Sequence, residues 1–137
     1  MKVNYQIFRG KPVKQEEIEY LRLAVGWDKM EGKYDRILKN LYTHYTVRMS
    51  GKLVGFLSVL SDGIADAFLI DLMVHPDFRK RGIGTELVKR AIKDLRFEGI
   101  KCIQVTFCQD DEPFFKKFGF HIMKAGIIDN DTMDVDF

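Results

Sequence analysis

The sequence predicts a mixed α+β domain, a central sheet of mixed direction flanked by about four helices. Three observations carry this. Residues 43–49 and 53–60 read as extended segments on either side of Ser50-Gly51-Lys52, a hairpin signal. Residues 67–74 are apolar apart from Asp71, as in a strand covered on both faces. After them, Ile83, Leu87, Val88, Ala91, Ile92 and Leu95 recur at helical spacing, and residues 102–108 alternate again. Strand, helix and strand in that order demand one parallel pair in an otherwise meandering sheet.

The remaining elements follow in order. Residues 3–8 form a first strand, and residues 16–25 a short helix with Ile18, Leu21 and Val25 on one face. A second helix covers residues 34–41. Ser61-Asp62-Gly63 closes the second hairpin strand, and Gly99 stops the helix over residues 83–96. A short helix over residues 112–118 ends at Gly119, residues 120–123 start another strand, and residues 132–137 pair as a last one. With no linker, repeat or low-complexity tract, residues 1–137 read as a single domain.

Composition narrows the classes. A chain of 137 residues, 46% hydrophobic and 31% charged, can bury a core and is no disordered tail. A net charge of +2 provides no general polyanion surface, which argues against nucleic acid as a partner. No apolar run approaches the roughly 20 residues that cross a bilayer. The first residues lack the charged-then-apolar order of a signal peptide. Cys102 and Cys108 lie in one expected strand, about 20 Å apart and too far for a disulfide. The expectation is a cytoplasmic protein with reduced thiols. Cysteines and histidines form no metal-ligand cluster, so no metal is expected.

The most informative segment follows the apolar strand. His75-Pro76 breaks the chain, and Arg79-Lys80-Arg81-Gly82-Ile83-Gly84 leads into the helix. A helix start preceded by glycines and cations suits a phosphate-bearing ligand, because first-turn N–H groups and the helix dipole favour anions. The competing reading is a tight strand-to-helix turn with solvated basic residues.

In this order the residues resemble the GNAT superfamily of acyl-CoA-dependent N-acyltransferases. Val74-His75-Pro76 with Arg79-x-x-Gly82-x-Gly84 is similar to the family's glycine loop. Pro113-Phe114-Phe115-Lys116-Lys117-Phe118-Gly119-Phe120 is similar to its late aromatic block. The resemblance implies the acyl-CoA N-acyltransferase fold, with a V-shaped splay between the fourth and fifth strands. It implies acetyl-CoA as co-substrate, with Leu72, Met73 and Val74 offering a strand edge to the pantetheine amides. Backbone N–H groups of Arg81, Gly82, Ile83, Gly84 and Thr85 would hold the pyrophosphate, and Arg79, Lys80 and Arg81 would add charge. Phe115 and Lys116 fall on the cofactor side in the family, although Lys116 and Lys117 are equally readable as solvated lysines.

The implied activity is direct acetyl transfer to a primary amine of a small molecule or a protein, through a ternary complex. Asp71 is the candidate base, or else a buried carboxylate bonded to a neighbouring loop or arginine. The Met73 backbone N–H is the candidate oxyanion donor. His75 is a second candidate base, with a capping role as its competitor. In many family members a tyrosine acts as acid where this chain has Phe115, which cannot donate a proton. Trp27 and Tyr34 read either as a lid on the acceptor or as aromatic packing. Cys108 reads as a small buried hydrophobe, and His44 and His121 as structural. Asp62, Asp66, Asp110, Asp111 and Glu112 would give an acidic rim for a cationic amine. The alternative function is a non-catalytic module that binds and senses acyl-CoA. The acceptor is not specified. The tail over residues 127–137 either completes the sheet or joins that of a second copy, which leaves a homodimer open.

Overall fold

The Ser50-Gly51 turn sets the register of the sheet. Both residues have positive φ (51° and 77°), the type I′ combination whose twist matches that of paired strands. In the computed structural model, which describes residues 5–132, strands β1 (Ile7–Arg9), β2 (Thr43–Met49), β3 (Lys52–Ser61), β4 (Asp66–Val74) and β5 (Cys102–Val105) form one sheet in sequence order. The first three pairings are antiparallel and β4–β5 is parallel, as the strand–helix–strand order requires. The helices are α1 (Gln15–Ala24), α2 (Tyr34–Asn40), α3 (Ile83–Phe97) and α4 (Glu112–Lys116). The chain divides into two compact units, Met1–Val105 and Thr106–Phe137.

In the first unit, Ile18, Leu21, Tyr34, Leu53, Phe56 and Met73 form one buried cluster, which joins α1 and α2 to β3 and β4. Helix α3 buries Ile83, Leu87, Val88, Ala91 and Leu95 and packs against β2, β3 and β4. Each of the four larger ones, Ile83, Leu87, Val88 and Leu95, contributes roughly 1.5–3 kcal/mol of gross burial. Gly55 of β3 makes the closeness possible. A Cβ built there would lie 2.8 Å from Ile83 Cγ2 and 3.2 Å from Leu87 Cδ1.

Helix α1 is clamped to β2 by an ion pair. Both terminal nitrogens of Arg48 donate to the Glu17 carboxylate, which also accepts the Lys14 N–H at 3.0 Å. The arginine bond, first among the causes, lowers the Glu17 carboxyl from 4.5 to about 2. Because the folded value is depressed, the pair's contribution to stability is complete above pH 4.5 and disappears as pH falls through about 2. Thermal unfolding across that window will therefore show a downward slope with acid that Arg48→Met flattens. An equal slope in both proteins would show that the pair contributes nothing.

The local elements depart from expectation at chain ends. Strand β1 occupies residues 7–9, and residues 3 and 4 of the expected strand lie outside the described residues. Strand β5 stops at Val105, although alternation runs on to Cys108. Helix α4 ends at Lys116, where Phe118 N–H and Gly119 N–H turn back to the carbonyls of Phe115 and Lys116. Residues 120–123 alternate like a strand but are not one: no described strand pairs with them to take up their backbone groups. Of the expected last strand, residues 133–137 lie outside the described residues, and Thr132 sits in a turn.

Candidate active site

The parallel register of β4 and β5 runs from Asp66↔Cys102 to Leu69↔Val105 and stops there. Strand β4 continues for five more residues, to Val74, held on its other side by β3 at Ser58↔Ile70, Phe56↔Met73 and Gly55↔Val74. Beyond this register β4 has no paired strand on the β5 side among the described residues. Between Ile70 and Met73 the register shifts, so Asp71 and Leu72 together oppose Leu57. Such a bulge re-aims the backbone on that strand. Asp71 carries the strain, with φ +54°. This left-handed region is one that aspartate tolerates better than most residues, at a cost of order 1–3 kcal/mol.

Downstream of Val74, the His75 ring is buried, and its Nδ1 accepts the Asp77 N–H at 3.1 Å to cap the 3-10 turn Pro76–Phe78. The ring stacks on Tyr20, with centroids 6.2 Å apart. Of the two readings of His75, the cap is the one its contacts display. The loop then exposes Arg79, Lys80, Arg81 and Gly82. Arg79 Nε donates to Val74 O at 3.3 Å, tying the loop to the strand end, and the Arg81 guanidinium lies 5.0 Å from the Phe78 ring. Gly82 N-caps α3 at φ +80°, and a Cβ there would meet nothing within 4 Å. Gly82 itself is therefore uncrowded. The Glu86 N–H donates to Gly82 O at 2.9 Å, so the helical ladder begins behind the first-turn N–H groups.

The face toward α1 and α2 holds a line of polar side chains. Arg22 of α1 donates through a terminal nitrogen to Tyr34 Oη at 2.9 Å, and Tyr34 donates to Asp71 Oδ2 at 2.9 Å. The same arginine nitrogen is 3.7 Å from Asp71 Oδ1. Burial, then the Asp71 charge, pushes the Tyr34 phenol up to about 12, so it stays protonated. Tyr34 is thus fully buried packing with a polar end, and Trp27, itself exposed, is a partner of Arg22, 5.3 Å from the guanidinium to the ring centroid. Sequence reasoning missed Arg22, because nothing local in α1 marks the carboxylate it faces. It also missed Gly55, whose two apolar neighbours in β3 give no sign of a helix overhead. Ser58, opposite Ile70, places a buried hydroxyl on β3 that finds no hydrogen-bond partner among the described residues.

Other expected residues fall elsewhere. Asp66 pairs with Cys102 at the closed end of the β4–β5 register, away from the open edge. Asp62 is engaged by the N–H groups of Ile64, Ala65 and Asp66, which hold its carboxyl below the usual range. Neither belongs to a rim around β4's open end. Cys108 is exposed and reduced, not buried, because β5 has ended three residues earlier. His44 Nε2–H donates to Lys11 O at 2.8 Å and the ring stacks on Phe56, a structural use. In the second unit, Phe115 is buried and stacked on Phe107 with centroids 4.9 Å apart, with Phe114 and Phe120 edge-on to it. Lys116, the last residue of α4, is exposed. Among the described residues no His, Cys, Asp or Glu group is placed to hold a metal ion, and no helix is long and apolar enough to cross a membrane.

Comparison with known proteins agrees with this geometry. The profile of the acetyltransferase (GNAT) family matches residues 4–120. The N-acetyltransferase ycf52 of Pyropia yezoensis is 34% identical over 116 residues, covering 81% of this chain and 67% of its own length. The chain thus spans about two thirds of that relative. A GNAT-family acetyltransferase of Streptococcus pneumoniae superposes with a TM-score of 0.79 at 25% identity, over 92% of this chain and 98% of that one. A Brucella melitensis GNAT acetyltransferase, solved with acetyl-CoA, superposes at 0.68 with 19% identity over 88% and 85% of the two chains. The profile match over residues 4–120, with a relative 34% identical over 81% of this chain, places the chain in the acetyltransferase (GNAT) family, and it is an acetyltransferase.

Proposed function

We propose that the chain transfers the acetyl group of acetyl-CoA directly to a primary amine of a small molecule or a protein, within a ternary complex. The observation that carries this reading is the edge of β4 at Leu72, Met73 and Val74, which outruns the β5 register and leads straight into the basic loop. The residues suit the co-substrate. An uncrowded Gly82, three exposed cations and the first turn of α3 suit a pyrophosphate. Backbone N–H and C=O groups at a strand edge suit the amides of pantetheine. The Brucella relative with acetyl-CoA bound supports the same choice.

Acetyl-CoA supplies a thioester carbonyl ready for attack; the chain supplies position and charge. Leu72, Met73 and Val74 orient the arm, and Arg79, Lys80, Arg81, Gly82, Ile83, Gly84 and Thr85 hold the phosphate end. The Met73 N–H faces Phe56 of β3, because His75, two residues on, donates to Val54 O; the Val74 N–H, on the open side, is the donor for the carbonyl oxygen as charge grows there. Asp71, half-buried on the same strand, takes the proton of the attacking amine. His75 is left out of this role because its Nδ1 is engaged by Asp77 and its ring by Tyr20. Phe115 supplies no proton, and a thiolate with an ordinary pKa of about 8.5 leaves without one.

Calorimetry with acetyl-CoA tests the reading. The folded protein will bind in the micromolar range, and an Arg81→Glu, Gly82→Asp variant will lose roughly 100-fold in affinity through charge reversal at the phosphates. Equal binding by the two proteins, or none by the wild type, would sink it. Release of free CoA with a panel of amines then separates an enzyme from a module that only senses acyl-CoA.

A further inference from the structure

We propose that Tyr34, itself held by Arg22, is a positioning residue that fixes the Asp71 carboxylate and leaves one defined oxygen, Oδ1, to take the acceptor's proton. This rests on the reading of Asp71 as the base. The three side chains run from the interior to the open edge: Tyr34 is fully buried, the Arg22 side chain 11% exposed and that of Asp71 26%. A phenol has one proton to give. With Arg22 donating into Tyr34 Oη at 2.9 Å, that proton goes to Asp71 Oδ2, also at 2.9 Å. Oδ1 is 3.7 Å from the Arg22 nitrogen, beyond hydrogen-bond length, and keeps its lone pairs for a proton arriving from outside.

Both partners are themselves anchored. Arg22 Nε donates to the Asp28 carbonyl, and its guanidinium lies over the rings of Trp27 and Tyr34. The Tyr34 ring packs edge-on against Phe56. Asp71 sits at φ +54°, a conformation that persists only where the surroundings over-determine it, and the Tyr34 bond provides that hold. In the reaction, one N–H bond of the acceptor's ammonium breaks and its proton goes to Oδ1. The freed lone pair forms the C–N bond and the C–S pair leaves with sulfur; of the two protons left on nitrogen, one ends on that thiolate and the other stays in the amide, and Oδ1 returns its proton to water.

Two amine probes at a pH near 7 separate positioning from mere scaffolding. Butylamine is largely protonated there and needs the base; hydroxylamine is already neutral. In Tyr34→Phe, kcat/KM for butylamine will fall roughly 30-fold, at least about ten times the loss with hydroxylamine. In an Asp71→Asn background the same substitution will cause no further loss with butylamine. Equal losses with the two probes, additive losses in the double variant, or full activity of Tyr34→Phe would overturn the proposal. If Tyr34→Phe does not fold, Arg22→Lys withdraws support from the other side of the phenol and makes the same comparison. A wild type that binds acetyl-CoA yet acetylates neither probe, or an Asp71→Asn variant that retains full butylamine turnover, removes the base reading and this proposal with it. Failure in Tyr34→Phe alone removes only the positioning role.

Discussion

Gly55→Ala will lower both thermal stability and acetyl-CoA affinity, although alanine ordinarily improves a strand over glycine. The added methyl would sit 2.8 Å from Ile83 Cγ2, 3.2 Å from Leu87 Cδ1 and 3.2 Å from Val47 Cβ. Ile83 is the first residue of α3 and buried, and its branched Cβ leaves that methyl little freedom to swing away. The first turn of the helix must move outward instead. Overpacking of this kind costs about 1–3 kcal/mol. Because the same turn carries Ile83, Gly84 and Thr85, the displacement disturbs the proposed phosphate site, and affinity falls about tenfold or more. Thermal unfolding and calorimetry read the two effects, and Ile83→Ala in the Gly55→Ala background will restore part of the affinity by making room. Raised stability with unchanged affinity would show that α3 does not depend on this contact.

Asp71→Asn is expected to reduce kcat by roughly 100-fold to 10,000-fold while acetyl-CoA affinity stays within about threefold. Asparagine keeps the shape, accepts the Tyr34 proton through its carbonyl oxygen and tolerates a positive φ, so the bulge that aims Leu72 and Met73 survives. What it lacks is the capacity to hold a proton. Steady-state rates beside calorimetric affinity separate these effects. A loss below about threefold in kcat would assign Asp71 to structure alone, with the water around the amine doing the work of the base.

Much of this site was legible in the residues because its information is local. Apolar residues 67–74, then Arg79-Lys80-Arg81-Gly82, then α3 at helical spacing follow one another along the chain, and backbone geometry alone joins them. The crossover to β5 was legible for the same reason. Ends were harder: β5 stops at Val105 while alternation continues, since a strand exists only as long as a neighbour accepts its hydrogen bonds. Residues 120–123 alternate without any such neighbour among the described strands.

By itself, then, the sequence determined the order of elements, the parallel pair and the cationic glycine loop at the start of α3. Only the tertiary structure decided what surrounds Asp71. Its bulge is a relation between β4 and Leu57 of β3, and register between strands has no local signature. Its partners Arg22 and Tyr34 arrive from α1 and α2, 49 and 37 residues away in the chain, and meet it because the apolar faces of those helices bury together with Phe56 and Met73. Gly55 follows the same rule, since the need for an absent side chain appears only once α3 lies on top of it. Periodicity is written into neighbours along the chain, whereas close approach is set by what the burial of distant apolar surfaces brings together.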